Sequence, residues 1–342
     1  MKKHANTLYV TTQGAYLARE RQSILVRVEN ETRLRLPVHT LDGIVCFGQV
    51  SCSPFAMGLC AEQGVGISFM TETGRFLARV QGPTSGNVLL RRQQYRQSDD
   101  HNTNAIAQTI IAAKIANSRT ALQRSLRDHA PQPNQPDLAQ AIDRLAELIC
   151  QLDQPLKMEH IRGIEGEAAR YYFGVLDHQI TAQKGDFGFA GRSRRPPLDN
   201  INALLSFLYA VLAQDARSAC EATGLDPQVG FLHRQRPGRP SLALDLMEEF
   251  RAMLADRIAL SLINRRQVNA KGFRKTSSGG VEMADDTRKT VLVAYQKRKA
   301  ELITHPFLGE QVTVGLLLNI QARLLARHLR SDLDAYPPFF WK

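Results

Sequence analysis

The sequence predicts an α+β fold, with a small, sandwich-like β-sheet domain followed by a larger all-α domain. Three observations support this prediction. Short apolar segments separated by turn residues fill the chain up to about residue 82. From residue 87 onward, apolar residues recur at helical spacing, and one proline-rich stretch, 130–136, interrupts them. The domain boundaries that follow are 1–86 for the β domain, 87–103 for a basic linker and 104–342 for the helical domain.

The N-terminal domain is expected to contain seven short strands. Several of its segments alternate apolar and polar residues, as half-buried strands do, and the segment 54–63 is expected to form a short helix. Its glutamates lie among arginines, and no cluster of catalytic side chains is evident. We therefore expect this domain to serve in dimerisation or in docking a partner.

The charge balance is the strongest global signal in the composition. The 342 residues include 44 Lys and Arg against 33 Asp and Glu, a formal net charge of +11. Such an excess favours a polyanionic partner, most often nucleic acid, because basic side chains displace the counterions of phosphates. The simpler alternative is a basic protein whose charge keeps it in solution.

The same composition excludes several classes of protein. No apolar run approaches the roughly 18 residues of a membrane span, and the basic N-terminus lacks the apolar core of a signal peptide. The cysteines are scattered, and no two of them form a C-x-x-C pair. We therefore expect a cytoplasmic protein with reduced thiols, no membrane association and no zinc site built on cysteine.

The helical domain is expected to contain seven helices. Their predicted ranges are 104–128, 137–153, 156–178, 200–223, one from 240 to beyond 256, 285–303 and 308–331. The glycine- and serine-containing loop after residue 263 is expected to be mobile. The aromatic tail, 335–342, is expected either to pack back on the protein or to anchor a partner.

A lone carboxylate on the helix 156–178 is the first candidate site residue. At 100° per residue Glu165 falls in the middle of a sector that is otherwise apolar. Such a carboxylate persists only with a partner, which is an arginine in a structural ion pair, a hydrogen-bond network or a metal. Gly163 and Gly166 bracket it and weaken the helix, which suggests that something large approaches closely at this point.

Four acids share one sector of the helix that begins at 240. Asp245 and Glu248 are three residues apart, so they can converge on one ion. Glu249 and Asp256 are expected to lie on a solvated face. His233 precedes this helix, and imidazole with carboxylates is the ligand set of a hard or borderline divalent metal.

Arginines and lysines in three loops are candidate phosphate contacts, although basic loops are more often simply solvated. Tyr209 is expected chiefly to pack in the core. The candidates are Arg192, Arg194 and Arg195 in the first loop, Arg234, Arg236 and Arg239 in the second, and Arg265, Arg266, Lys271, Arg274 and Lys275 in the third.

Three motifs come in an order that resembles a known family. They are GIEGEAARYYF at 163–173, NALLSFLY at 202–209, and GFLH at 230–233 followed by LDLMEEF at 244–250. Together they closely resemble the CRISPR-associated protein one family, the integrase-nuclease of spacer acquisition. The segment RPGRPSLALDLMEEF, residues 236–250, most resembles the form of this family that accompanies type I-C systems. The resemblance covers essentially the whole chain and implies the same β-then-α architecture.

The resemblance implies a catalytic site made of Glu165, His233, Asp245 and Glu248. In the family, the helix-borne glutamate, the loop histidine and the second helix acid bind Mg²⁺ or Mn²⁺, and these match Glu165, His233 and Glu248. The second acid is usually aspartate, so Glu248 reaches one methylene further than the family pattern. Asp245 matches the first helix acid.

The activity implied is a divalent-metal-dependent reaction on double-stranded DNA. The 3′-hydroxyl of a prespacer strand attacks the CRISPR repeat by transesterification, and with water as nucleophile the same site acts as an endonuclease. The family works as a homodimer, with the CRISPR-associated protein two bridging two dimers. Residue patterns alone leave two alternatives open: a non-catalytic, basic helical nucleic-acid-binding protein, and a metal-dependent phosphodiesterase on another substrate.

Overall fold

The chain divides into two compact units in a computed structural model that describes residues 6–80, 82, 87–100, 104–128 and 135–342. The first unit combines residues 1–86 with 283–303 and 313–316, and the second combines 87–282, 304–312 and 317–342. The order of β-sheets followed by a mostly helical region confirms the predicted fold class. Most of the predicted proline-rich break lies outside the described residues.

Two four-stranded sheets make up most of the first unit, with spatial orders β1-β5-β7-β8 and β4-β3-β2-β6. In the first sheet β5 pairs in parallel with β1 and β7, whereas β7 and β8 are antiparallel. The elements are β1 (Thr7–Val10), β2 (Tyr16–Glu20), β3 (Ser23–Val28), β4 (Glu31–Pro37), β5 (Gly43–Phe47), β6 (Ser51–Cys52), α1 (Pro54–Glu62), β7 (Gly66–Met70) and β8 (Phe76–Val80). The prediction of seven strands missed β6, which is only two residues long.

Local sequence explains the main turns of this unit. Glu29 and Asn30, between β3 and β4, both have positive φ, as the tight primed turns of hairpins require. Helix α1 begins after Ser53, whose hydroxyl accepts a hydrogen bond from the Ala56 N–H, and Pro54 occupies the first helical position. Apolar side chains from both sheets and α1 form one core that includes Leu17, Ile24, Ile44, Leu59 and Ile67.

Eleven helices are assigned within the described residues, and nine of them belong to the second unit. The nine are α2 (Val88–Asp99), α3 (Ala105–Asp128), α4 (Gln135–Cys150), α5 (Met158–Gly174), α6 (Lys184–Phe187), α7 (Asn200–Ala222), α8 (Ser241–Glu248), α9 (Arg257–Asn264) and α11 (Leu317–Leu329). Between α8 and α9 the backbone winds as a π-helix over Arg251–Asp256. Helix α10 (Asp285–Ala300) belongs to the first unit, where Gln296 donates to the backbone oxygen of Thr7.

The structure differs from several sequence predictions in the helical part. Helix α2 occupies most of the segment that was predicted to be a linker, and the last helix begins at Leu317 rather than at residue 308. The region predicted to be all-α is mostly helical and also contains two short hairpins: β9 (Phe273–Lys275) with β10 (Val281–Met283), and β11 (Leu302–Thr304) with β12 (Gln311–Thr313). No helix in the described part of the chain combines the length and apolar character that a membrane crossing requires.

Candidate active site

Three helices of the second unit bring their charged side chains to one point. Glu165 on α5 and Glu248 on α8 both contact the ammonium of Lys114 on α3. The Lys114 Nζ lies 2.8 Å from Glu248 Oε2 and also pairs with Glu165 Oε1. Glu248 is 6% exposed and Lys114 is 12% exposed, whereas Glu165 remains one-third exposed toward solvent. The lone carboxylate expected on α5 therefore has a buried cation and a second carboxylate beside it.

His233 joins this cluster through one ring nitrogen. Its Nε2 lies 4.0 Å from Glu248 Oε1, and its Nδ1 lies 2.7 Å from Asp245 Oδ1. Because a carboxylate only accepts hydrogen bonds, the Nδ1–H is the donor to Asp245, and Nε2 is the ring nitrogen that faces Glu248. Asp245 therefore orients the ring so that Nε2 is the atom available to a metal.

Asp245 is fully occupied as an acceptor and has no exposed surface. Its Oδ1 accepts from the backbone N–H and the ring of His233, and its Oδ2 accepts from the backbone N–H groups of Phe231 and Leu232. Four bonds match the four lone-pair directions of a carboxylate. Asp245 therefore orients His233 and fixes the loop that carries it.

The loop before α8 is held in place from several sides. Gly230 lies so close to α8 that a Cβ atom there would be 2.6 Å from Asp245 Oδ2, so only glycine fits. Arg162 on α5 donates to the backbone oxygen of Leu232 at 2.8 Å. The buried Gln94 on α2 donates to two backbone oxygens of this loop, at residues 226 and 229. Helix α2 is therefore part of the support of the site.

Arg251 also holds the carboxylate of Glu248. Its Nη1 donates to both carboxylate oxygens of Glu248, at 2.9 and 3.0 Å. Burial alone would raise the pKa of Glu248, but the guanidinium of Arg251, the ammonium of Lys114 and the ring of His233 outweigh it and hold that pKa well below its usual range. Glu248 therefore stays ionised, as a metal ligand must be.

Asp256, expected on a solvated face, is instead 2% exposed, and this prediction was wrong. It accepts hydrogen bonds from the hydroxyls of Tyr209, at 2.5 Å, and Tyr172, at 3.0 Å. The Arg251 guanidinium lies over the ring of Tyr209, 4.4 Å from its centroid. Burial raises the pKa of Asp256, and Arg251 and the two tyrosines oppose that rise. Helical periodicity failed here because the π-helix rotates residues 251–256 relative to α8.

Glu249 was also expected on a solvated face, and it has no exposed surface. Its carboxylate accepts hydrogen bonds from the Tyr336 hydroxyl at 2.5 Å, the Phe339 backbone N–H at 2.7 Å and the Gln321 amide at 3.1 Å. Burial raises the pKa of Glu249 to about 7, although these three donors lower it. The aromatic tail therefore packs back on the protein, because Glu249 serves as its anchor.

The side chains of Glu165, His233 and Glu248 are chemically suited to bind a divalent ion. In this structure the Lys114 ammonium lies between the two carboxylates. Among the described residues, no group of three or more His, Cys, Asp or Glu side chains is already gathered around one point so as to hold a metal. The Lys114 ammonium is the stand-in cation at that point. Two carboxylates and one imidazole form a donor set suited to Mg²⁺ or Mn²⁺.

The glycines that bracket Glu165 face open space. A Cβ atom at Gly163 or Gly166 would meet no atom within 4 Å. No part of the described chain therefore requires glycine at either position.

The predicted phosphate contacts differ in their exposure and in their hydrogen bonding within the protein. Arg192 is half-buried and donates to Asn202 Oδ1 at 2.6 Å and to Ser206 Oγ at 3.0 Å, so it supports the fold. Arg234 and Arg239 lie close enough to Arg162 to lower its pKa, although burial is the larger cause. The exposed members are Arg194, Arg195, Arg234, Arg236, Arg265, Arg266, Lys271, Arg274 and Lys275.

Comparison with known proteins identifies the family. The family model described as "CRISPR associated protein Cas1" matches residues 8–297. The chain belongs to the Cas1 family. It is 54% identical to the CRISPR-associated endonuclease Cas1 1 of Chlorobaculum tepidum and 51% identical to the CRISPR-associated endonuclease Cas1 2 of Rhodospirillum rubrum, and each match covers 100% of both chains.

Solved structures show the Cas1 fold in distant relatives. A CAS1 protein from Thermotoga maritima matches with a TM-score of 0.81 and 24% identity, over 98% of this chain and 100% of that one. A casposase bound to integration product matches with a TM-score of 0.80 and 23% identity, over 96% and 92%. A Cas6-RT-Cas1–Cas2 complex matches with a TM-score of 0.82 and 22% identity, over 99% of this chain and 36% of that one.

Sequence reasoning missed two side chains of this site, Lys114 and Arg251. The same comparison of helix faces that identified Glu165 could have identified Lys114, since Lys114 lies between Ile110, Ile111 and Ile115 on the apolar face of α3. A charged side chain on such a face needs a partner, and two such residues of opposite sign form a candidate pair. Arg251 gave no comparable signal, because it lies in the π-helix.

Proposed function

We propose that this member of the Cas1 family is a metal-dependent DNA endonuclease and integrase of CRISPR adaptation. It joins prespacer 3′-hydroxyl ends to the CRISPR repeat by transesterification. The observation that carries the proposal is the arrangement of Glu165, Glu248 and His233, with Nε2 of His233 oriented toward the carboxylate of Glu248 by the hydrogen bond between Nδ1 and Asp245. Relatives at 54% and 51% identity bear the name CRISPR-associated endonuclease, which supports the same activity.

Glu165, His233 and Glu248 are the residues that would hold Mg²⁺ or Mn²⁺. When bound, the ion supplies Lewis-acid polarisation of the scissile phosphate and stabilises charge on the departing oxygen. Asp245 keeps the proton of His233 on Nδ1, and Arg251 keeps the Glu248 carboxylate in place with two hydrogen bonds. No side chain is needed as a covalent nucleophile, because the 3′-hydroxyl or water is the attacking group.

DNA would be held by the exposed arginines and lysines of the three basic loops. Contacts of this kind are made to phosphates and fix the position of the duplex without reading its sequence. A structurally similar casposase was captured with an integration product, which makes double-stranded DNA the substrate to test first. The prespacer and the repeat are the two duplexes that the reaction joins.

We infer a homodimer as the working form, with two dimers bridged by the CRISPR-associated protein two. A similar structure is a complex that includes Cas1 and Cas2, and this supports the choice of partner. The same proposal includes the stoichiometry, the role of the β-sheet unit in dimerisation and the type I-C assignment. Light scattering of the purified protein, alone and with the partner, measures the stoichiometry.

A joining assay tests the function. Duplexes with labelled 3′-hydroxyl ends are incubated with a plasmid that contains the CRISPR repeat, with the partner protein and with Mg²⁺ or Mn²⁺. Labelled plasmid should form with 3′-hydroxyl ends and not with dideoxy ends, and it should be lost in Glu165→Gln and His233→Ala. Binding of DNA without metal-dependent joining or cleavage would contradict the proposal and favour a non-catalytic nucleic-acid-binding protein.

A further inference from the structure

Lys114 is the one basic side chain, among the described residues, that contacts both Glu165 and Glu248. It extends from the apolar face of α3, where Ile110, Ile111 and Ile115 are almost fully buried around it. The side chain is 12% exposed and its ammonium lies between two carboxylates that come from different helices. This position would be unfavourable for a cation without both partners, so the three charges depend on one another.

The charges of the site identify what the ammonium does. The carboxylates of Glu165 and Glu248 both pair with Lys114, and Glu248 also pairs with Arg251. Without Lys114, the carboxylates of Glu165 and Glu248 would lie side by side, and Arg251 would be the cation that still pairs with Glu248. Like charges at such a distance repel strongly in a site of low dielectric. The ammonium therefore keeps Glu165 and Glu248 together before any metal arrives.

A divalent ion would need the same two carboxylates. The Lys114 ammonium donates to Oε1 of Glu165 and lies 2.8 Å from Oε2 of Glu248, whereas His233 Nε2 lies 4.0 Å from Oε1 of Glu248. An ion held by Glu165, His233 and Glu248 would lie beside the ammonium, and the two cations would repel each other. We expect this repulsion to move the ammonium away from at least one of its partners.

We propose that Lys114 is a positioning residue that holds the place of the metal and competes with it. In the metal-free protein the ammonium keeps the two carboxylates in register, so the site is formed before the ion binds. On metal binding the ammonium is displaced, and this exchange lowers the affinity for the ion. The inference rests on the proposed metal centre, and it concerns a residue outside the set that the family resemblance implies.

Calorimetric titration with Mn²⁺ tests this exchange in the full chain. In Lys114→Met the Kd for Mn²⁺ should fall about tenfold or more, because a hydrogen-bonded charge no longer has to be displaced. The metal-free variant should melt at a lower temperature than the wild type, and Mn²⁺ should raise its Tm by a larger amount. A purely structural lysine would give the opposite result, since loss of support weakens metal binding.

Three further variants make the outcome decisive. Lys114→Gln keeps a hydrogen-bond donor without the charge, should also tighten Mn²⁺ binding, and replaces Lys114→Met if that variant does not fold. Lys114→Arg keeps a cation and should not tighten binding. Lys289→Met, an exposed lysine of α10, is the matched control and should leave the Kd unchanged.

Two results would overturn the inference, and they are distinguishable. If Glu165→Gln abolishes the Mn²⁺ site but Lys114→Met and Lys114→Gln leave the Kd unchanged or weaken it, the metal centre stands and the place-holding role is wrong. If Glu165→Gln binds Mn²⁺ as the wild type does, the metal centre is wrong and the inference is lost with it.

Discussion

At the residue scale, the state of His233 depends on Asp245. The carboxylate accepts the Nδ1–H and also three backbone N–H groups of residues 231–233, so it fixes the tautomer and the loop together. A carboxylate behind a histidine is the usual support of a metal-binding imidazole. The spacing of Asp245 and Glu248 suggested two converging ligands, and the structure separates their roles.

Asp245→Asn should weaken Mn²⁺ binding by about 10- to 100-fold. The asparagine amide can accept hydrogen bonds only at its oxygen. Its NH₂ group would face N–H donors that bond to a carboxylate oxygen of Asp245 in the wild type. Calorimetry measures the change, with Asp143→Asn on an exposed position of α4 as the control. An unchanged Kd would show that Asp245 does not control the state of His233.

The residue scale also shows the limit of periodicity. Glu165 was singled out correctly as a carboxylate that requires partners, because charge on an apolar face is visible in the sequence. Glu249 and Asp256 were assigned to solvent, although both are buried. Their partners, Tyr336 for Glu249 and Tyr209 for Asp256, lie far away in the chain, and helical spacing carries no information about them.

At the element scale, α5 combines a strong packing face with two glycines that nothing in the described chain requires. Gly163 and Gly166 both lie in the helix, and space is open where a Cβ would be. Glycine in a helix is less favourable than alanine, so the choice lowers the stability of α5. A functional reason would be the approach of DNA to Glu165.

Gly166→Ala should therefore separate stability from function. We expect the free energy of unfolding to rise by about 0.5–1 kcal/mol, because alanine restricts the unfolded chain and favours the helix. We also expect joining of 3′-hydroxyl ends to fall, because the methyl group occupies the open space beside Glu165. Urea denaturation and the joining assay measure the two effects. Full joining activity in the variant would refute the approach of DNA at this point.

The C-terminal tail is a second element whose role the structure decides. Trp341 is 5% exposed, its backbone N–H donates to Asn117 Oδ1 at 2.7 Å, and Arg124 lies 4.1 Å above its ring. The neighbouring Phe340 is 41% exposed. The tail thus alternates buried and exposed aromatic side chains, as an extended segment packed along one side does.

Trp341→Ala should reduce the free energy of unfolding by about 3 kcal/mol, because a large buried side chain and its contacts are lost. Phe340→Ala, a change of the same kind one residue away, should alter it by less than about 0.5 kcal/mol. Urea denaturation measures both. Equal effects would show that the tail is not packed as described.

At the scale of the whole molecule, the net charge of +11 is distributed between structural and exposed side chains. Arg192 bonds to Asn202 and Ser206, and Arg251 bonds to Glu248, so neither is free to follow a DNA backbone. Arg194 and Arg195 are exposed in the same loop as Arg192. Composition predicts the sign of the partner's charge, whereas only the packing shows which arginines remain exposed to contact that partner.

Replacement of Arg194 and Arg195 by alanine should weaken DNA binding without a change in stability. The slope of log Kd against log salt should decrease by about one for each phosphate contact that is lost. Arg192→Ala should instead lower the free energy of unfolding, because its hydrogen bonds to Asn202 and Ser206 are lost. Fluorescence anisotropy at several salt concentrations and urea denaturation distinguish the two. The interpretation fails if Arg192→Ala changes only DNA binding.

The sequence by itself determined the β-then-α order and most strands and helices, and it predicts a metal site made of Glu165, His233 and Glu248. These features depend on local periodicity and on motifs that remain contiguous in the chain. Tertiary structure alone decided that Lys114 lies between the two acids, that Asp245 supports His233, and that α2 and the tail brace the site. The reason is physical: a buried charge is stable only with its partners, and here the partners come from segments that meet only in the folded chain.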